Sequence, residues 1–478
     1  MPPFVALILW FVLLVALLSW DPAKDAGTSS ALWVPVIWMF IVGSRLPAQW
    51  LGGSVGSAAQ ALEEGNPIDR TVFFVLILLA VVILMSRSFN WGEFFSRNMA
   101  LMAFVLFGLV SVLWSESTLV SFKRWFRDLG PYVVVLVVLS EARPLEAVRT
   151  LFRRLCYLLI PLSIVLIKYF PYLGKQYSEW TGAAEFSGAA TSKNLLGVIC
   201  LVSGLFFFWD TLTRWSDRKE RTTKRIIAVN FAFIAMTLWL LNLAHSATST
   251  VCVVIGCMVV VATRRKWAKR HPGFLKVLIP VSFGLYLLLA FGFDLNGQLA
   301  GMLGRDPTLT DRTAIWKLVL SMHTNPLVGT GYESFWLGPR LQQIWKMFGP
   351  INEAHNGYLE VYLNLGLIGV FLLCAFLIAS YRKICKQLTS SPVLGSLNLA
   401  FWTIMLFYNM TEAGFRSGLM WITFLLGAIS VPLRVSEKEL HRFDALEKKG
   451  TARFATFREL RTNPSPSRAL KSASRRHS

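Results

Sequence analysis

Several residues in this chain could act on a charged substrate that carries a reactive hydroxyl. His355 stands at the mouth of an apolar run, in Ala354-His355-Asn356-Gly357-Tyr358-Leu359-Glu360. Imidazole is the usual group for taking a proton from an attacking hydroxyl, whose own pKa is too high for it to ionise unaided. A helix amino terminus disfavours imidazolium, so the ring is expected to be neutral there, with Glu353 or Glu360 available to orient it. Arg312, Lys193, Arg124 and Arg127 are cations lying beside other apolar runs. Fixed cations in a poorly hydrated site stabilise the charge that develops on a leaving phosphate. No Asp-x-Asp pair occurs and no His/Cys cluster has metal-ligand spacing, so the sequence implies neither a metal nor another cofactor.

The elements that must hold these groups are membrane helices. Of the 478 residues, 54% are hydrophobic and only 16% charged, and the mean hydropathy is +0.52, outside the soluble globular range. The net charge of +21 gathers in short loops and in the tail, as the positive-inside rule produces, so nucleic-acid binding is not the reading. The six cysteines lie mostly in apolar runs without CxxC spacing and read as core residues. Met1 to Trp20 has no Lys or Arg ahead of it and no small-residue cleavage site, and is expected to be an uncleaved first span.

Apolar runs near 3–20, 71–86, 99–114, 127–140, 155–171, 194–210, 226–243, 247–263, 275–293, 357–380, 395–412 and 417–433 predict an all-α polytopic membrane protein. A shorter run, Ala31 to Val42, contains Pro35, so the expected number of transmembrane helices is about 12–13. The basic loops at 214–225, 264–270 and 382–386 are assigned to the cytoplasm. That puts the segments around 115–124, 172–193 and 294–356 outside. Four parts follow: helices over 1–293, an outer loop over 294–356, three further helices over 357–433, and a basic, largely disordered cytoplasmic tail over 434–478.

The outer loop has folded periodicity. Thr310 can cap a helix beginning Asp311-Arg312-Thr313, with Ile315, Leu318, Val319 and Met322 on one face and Asn325-Pro326 as its stop. Gly329-Thr330-Gly331 allows a tight turn and close backbone approach. After it Phe335, Trp336, Leu341, Ile344, Trp345 and Phe348 recur at helical spacing up to Gly349-Pro350. The loop is therefore expected to be a small cap of two amphipathic helices on the outer leaflet.

Three pieces occur in order: Arg312-x-x-x-Trp316; Asn325-Pro326-Leu327-Val328-Gly329-x-Gly331; and His355-Asn356-x-Tyr358-Leu359-Glu360 running into Leu365-Gly366-Leu367-Ile368-Gly369. This order resembles the O-antigen ligase and polymerase superfamily of membrane glycosyltransferases, and among these looks closest to exopolysaccharide polymerases. The matched core covers about residues 305 to 380. The resemblance implies metal-independent transfer of glycan from an undecaprenyl-pyrophosphate carrier to an acceptor hydroxyl, polysaccharide or lipid, on the periplasmic side of a bacterial inner membrane. It makes His355 and Arg312 the catalytic candidates. Lys193-Asn194-x-x-Gly197 and Thr118-x-x-x-x-Lys123-Arg124-x-x-Arg127 resemble further motifs, which with Asn356 and Tyr358 supply candidates for binding pyrophosphate or glycan. Ser246-Ala247-Thr248 lacks the basic residue that many members carry between the two hydroxyls, which argues against a carrier-phosphate role for the loop around His245. Other polysaccharide export and assembly proteins are the partners this reading adds. Polymerase and ligase remain open alternatives. A transporter or flippase of lipid-linked sugars would need intramembrane charges or inverted halves, for which Lys168 and a few loop-edge residues are the candidates.

Overall fold

A computed structural model describes residues 1–20, 27–52, 65–87, 89–177, 182, 184–265, 272–292 and 312–431. Thr310 and Asp311, the first part of the outer loop, the basic residues at 266–270 and the tail from 434 lie outside the described residues. Among the described residues the chain is all-α but for one hairpin, and the apolar runs form helices. In chain order these are α1 (Pro3–Ser19), α2 (Trp33–Gly43), α3 (Pro67–Met85), α4 (Trp91–Arg97), α5 (Met99–Ser111), α6 (Thr118–Asp128), α7 (Gly130–Leu139), α8 (Pro144–Tyr169), α9 (Lys193–Arg214), α10 (Arg221–Ala244), α11 (Ala247–Arg264), α12 (Pro272–Gly292), α13 (Arg312–Ser321), α14 (Gly338–Phe348), α15 (Gly357–Ser390), α16 (Pro392–Tyr408) and α17 (Leu419–Ala428). Helices begin where the sequence supplies caps: Asn66 accepts from Ile68 N, Ser192 from Leu195 N, and Asn356 from both Tyr358 N and Leu359 N. Pro144 and Pro392 open theirs. The hairpin, β1 (Lys175–Tyr177) and β2 (Ala184–Phe186), pairs antiparallel with Gln176 opposite Glu185.

Among the described residues six helices are by themselves long and apolar enough to cross a bilayer, α4 and α5 form a bent pair that would make a seventh, and shorter apolar helices accompany them. The buried centre is α8, α9 and α16, which α2, α7, α10, α15 and α17 surround. Peripheral helices turn Phe4, Ile8, Phe11, Phe74, Leu78 and Val82 outward, as lipid-facing helices do.

Two short helices matter for function. α7 and α17 have 10 residues each, which spans roughly 15 Å, about half a hydrocarbon core. They pack together; α6 leads into α7, and the loop 409–418 leads into α17. The irregular backbone of this loop finds its hydrogen-bond partners within the protein, and Asn409 shows how. Its Oδ1 accepts from Gly414 N (2.8 Å) and Phe415 N (3.0 Å), while Gly357 N donates to both Asn409 O and Glu412 O (2.9 Å each). The loop is thereby welded to the start of α15.

The segment before α15 is tied into the same helix. α15 is broken at Gly366, whose φ of 62° and ψ of −165° suit glycine, and a Cβ there would run into the backbone of Leu327. The segment 325–335 fills the break. Thr330 N donates to Leu363 O (3.1 Å), Gly331 N to Asn364 O (2.9 Å), Leu367 N to Pro326 O (2.9 Å) and Ile368 N to Leu327 O (3.1 Å). Gly329 sits against the Asn364 backbone with φ 67°, so the Gly-Thr-Gly turn and Leu365-Gly366 are two halves of one joint. Above it, Ile315, Val319, Phe335, Trp336, Leu341 and Ile344 form a small separate core between α13 and α14. The two cap helices are present, but the second begins at Gly338, leaving Phe335 and Trp336 in the preceding turn.

At the opposite end of the bundle, Asp210 is fully buried among Arg153 (3.1 Å), Arg149 (3.2 Å) and Arg214 (3.0 Å), and Asn230 Nδ2 also donates to it. This cluster ties α8, α9 and α10 together. Lys168, the intramembrane charge marked from sequence, instead lies over the Trp239 ring at 5.5 Å.

Candidate active site

Arg312 opens α13, where a cation faces the positive end of the helix dipole; a carboxylate compensates. Its Nη2 lies 2.9 Å from Glu412 Oε1, with the Arg312 side chain 14% and the Glu412 side chain 7% exposed. Four residues on, Trp316 donates from Nε1 to Ala354 O at 2.7 Å. The i, i+4 spacing thus puts an ion-pairing arginine and an anchoring indole on one helix face, and the anchor grips the residue next to His355.

His355 lies outside the helix. Asn356 is the N-cap, and His355 takes a left-handed conformation with φ 49°, shared among the described non-glycine residues only with His245 and Glu333. Its Nδ1 lies 2.9 Å from Glu353 Oε1 and 3.5 Å from Glu412 Oε2. Glu360 turns away, accepting from Trp336 Nε1 and Ala354 N, so Glu353 is the orienting carboxylate. The expectation of a neutral ring is overturned. Burial alone would lower the imidazole pKa, but Glu353 and Glu412 outweigh it and hold it at about 9. A dipole at the helix start is weaker than two carboxylates within 3.5 Å. Burial would likewise raise Glu353, yet the hydrogen bond and charge of His355, with Arg416 and Arg312, hold it below the usual carboxylate range.

Asn194, at the start of α9, donates to Glu412 Oε1 at 3.1 Å. Arg416 bonds Glu333 Oε2 (3.0 Å) and Asn352 O (3.2 Å), with Glu353 Oε2 at 3.7 Å. Arg124 donates to the Glu333 carbonyl at 2.5 Å. Arg127 pairs with Asp128 at 2.9 Å, and Asp128 also accepts from Tyr332 Oη at 3.1 Å. Beside these groups is a cleft of about 330 Å³, walled by Arg127, Thr191, Ser192, Asn194, Glu333, Glu353, Glu412 and Arg416, and floored by Leu195, Val198, Leu419 and Met420.

The structure thus brings Arg312, His355 and Asn194 together on Glu412, with Arg127 and Arg124 alongside. It does not bring in Lys193, which pairs with Glu185 of β2 at 2.6 Å. Asn356 and Tyr358 do structural work. The first caps α15; the second donates to Leu406 O (3.2 Å) and meets Phe415 edge-on. Thr248, in the loop that lacks a basic residue, shares a 2.8 Å hydrogen bond with Thr411 and so braces Glu412.

Glu412, Arg416 and Glu333 were not singled out from sequence. The first two are the charged residues between 387 and 433, four apart inside what hydropathy reads as two abutting spans. That interruption is a usable signal. Glu353, His355 and Glu412 place three potential metal-ligand atoms within 4.8 Å of one another. Arg312 and Arg416 already pair with these carboxylates, however, and a divalent cation would face both guanidiniums. The donor set suits anion binding and proton transfer better.

Fold and site together define a polytopic all-α membrane protein with a polar cleft at one end of its bundle, lined by Arg127, Arg416, Glu353 and Glu412, the last two of which hold His355. Residues 231–374 match the family model described as O-antigen ligase. The chain is also 27% identical over 303 residues to the exopolysaccharide production protein ExoQ of Rhizobium meliloti (strain 1021), a match covering 60% of this chain and 65% of that protein. Both matches support an O-antigen ligase/polymerase-like family for this membrane protein, and the chain spans about two thirds of the length of the curated relative.

Proposed function

We propose that the protein is a membrane glycosyltransferase that moves glycan from an undecaprenyl-pyrophosphate carrier to an acceptor hydroxyl at the periplasmic face. The similarity to an exopolysaccharide production protein favours polymer lengthening over ligation. The observation carrying this reading is the convergence of Arg312, Asn194 and His355, from three separate elements, on Glu412, which lines a cleft with an apolar floor. The acceptor oxygen attacks the anomeric carbon, its proton passes to His355, and the bond to the pyrophosphate oxygen breaks with its electron pair going to the leaving group. Arg312 stabilises that developing charge, while Arg416 and Arg127 lie within reach of the same cleft. Because Glu353 and Glu412 keep the imidazole protonated near neutral pH, the reacting form is the deprotonated minority and activity rises with pH.

The test is His355→Ala and Arg312→Ala in cells. Both variants are expected to abolish polymer while leaving protein level and membrane insertion intact. Normal polysaccharide from either would overturn the assignment. No divalent ion takes part in this scheme, so activity of the purified protein should survive a chelator; loss on chelation that a divalent cation restores would contradict it.

A further inference from the structure

The residue before His355 is gripped from both sides. Ala354 is fully buried; its N–H donates to Glu360 Oε1, and its carbonyl accepts from Trp316 Nε1 at 2.7 Å. Glu360, on the first turn of α15, is only 3% exposed and also accepts from Trp336 Nε1, 2.9 Å from its Oε2. One buried carboxylate thus joins α15 to the turn before α14 and to the turn that carries His355. On the other side of His355, Asn356 caps α15 and Gly357 N donates to Asn409 O and Glu412 O. His355 itself holds φ 49°, a conformation that a non-glycine residue keeps only where its surroundings over-determine it.

We infer that Glu360 is a positioning residue of the reaction, holding the left-handed turn that aims the His355 imidazole at Glu353 and Glu412. The inference rests on the reading of His355 as the proton acceptor. With Ala354 held ahead of it and Gly357 held behind it, the backbone at His355 cannot relax to an ordinary negative φ without straining these bonds. A relaxed turn would draw the ring away from Glu353, which it meets at 2.9 Å. Glu360 therefore acts on the ring through the backbone of Ala354 and not by touching it. Two acceptor oxygens suit this task, because both groups they meet are N–H donors. A glutamine of the same shape would turn its own NH2 towards the Trp336 N–H, and in one orientation towards the Ala354 N–H as well, so even that change loosens the grip.

Polymer formation from a lipid-linked repeat by the full chain in nanodiscs, followed against pH, tests this. Glu360→Gln is expected to lower the high-pH limit of kcat at least about tenfold, with KM for the repeat changed less than about twofold. The rising limb of kcat/KM should move down from about 9 by at least about one pH unit, because the ring loses Glu353. Trp316→Phe releases the other side of Ala354 without altering any charge, and should move the midpoint in the same direction. Glu360→Asp keeps the charge but draws it back by one methylene, and should fall between wild type and Glu360→Gln. These two variants separate displacement of the ring from loss of a nearby charge, and they decide the matter if Glu360→Gln does not fold. A midpoint and a kcat per folded molecule that stay at wild-type values, with only Tm lowered, overturn the inference and leave His355 as the proton acceptor. A shift confined to Glu360→Gln reports lost charge and overturns it likewise. Wild-type polymer from His355→Ala instead overturns the reading on which the inference rests.

Discussion

The raised pKa of His355 has a direct kinetic consequence. The carboxylates of Glu353 and Glu412 outweigh burial and push the imidazole up to about 9 from an ordinary value near 6.5. That difference of about 2.5 units corresponds to roughly 3 kcal/mol of preference for the charged ring at 1.36 kcal/mol per unit. Glu353 is the nearer carboxylate, at 2.9 Å against 3.5 Å, and Glu412 divides its charge with Arg312 and Asn194. Removing the Glu353 charge should therefore lower the pKa by roughly one to two units. The assay is polymer formation from a lipid-linked repeat in detergent as a function of pH. For wild type, the rising limb of kcat/KM should have its midpoint near 9; for Glu353→Gln it should move down by about one to two units. The same pairing acts on stability with a definite sign. A group whose folded pKa is raised stabilises fully below about 6.5, and the contribution disappears as pH climbs through about 9. Glu353→Gln should therefore flatten the alkaline loss of thermal stability. A midpoint that stays in place or moves upward refutes the assignment of the shift to Glu353.

Two further variants test the framework. Gly366→Ala forces a side chain into a glycine-only conformation and into the Leu327 backbone, so a loss of more than about 2 kcal/mol is expected, read as a lowered Tm, with the outer loop becoming susceptible to protease. Asp210→Asn leaves Arg149, Arg153 and Arg214 buried around a neutral group; it should cost about 3–5 kcal/mol and reduce the amount of folded protein, although it lies at the end of the bundle away from the cleft.

What the sequence disclosed depended on range. Helix existence was legible because each span is a local run of apolar residues, and Arg312 with Trp316 was legible because their spacing is one helical turn. The protonation state of His355 was not. It is set partly by Glu412, 57 residues further on, whose approach depends on Asn409 and Gly357, whereas the helix dipole that argued for a neutral ring is a local term. Glu412 and Arg416 were hidden by hydropathy averaging across two short helices. The break at Gly366 was hidden because glycine in an apolar run reads as continuous helix, and its replacement hydrogen bonds come from residues 326–331. The Asp210 cluster was missed because Arg149 and Arg153 lie before the apolar run that marks their helix, and their partner is on the next one.

The central claim is that Arg312 and His355 act on a pyrophosphate-linked donor, and product release tests it most directly. Purified protein in nanodiscs would be given a defined undecaprenyl-pyrophosphate-linked repeat, and polymer bonds and released undecaprenyl pyrophosphate counted together. One molecule of carrier pyrophosphate per bond is expected from wild type, and neither product from Arg312→Ala. Polymer without carrier release, or wild-type release by Arg312→Ala, would contradict the account.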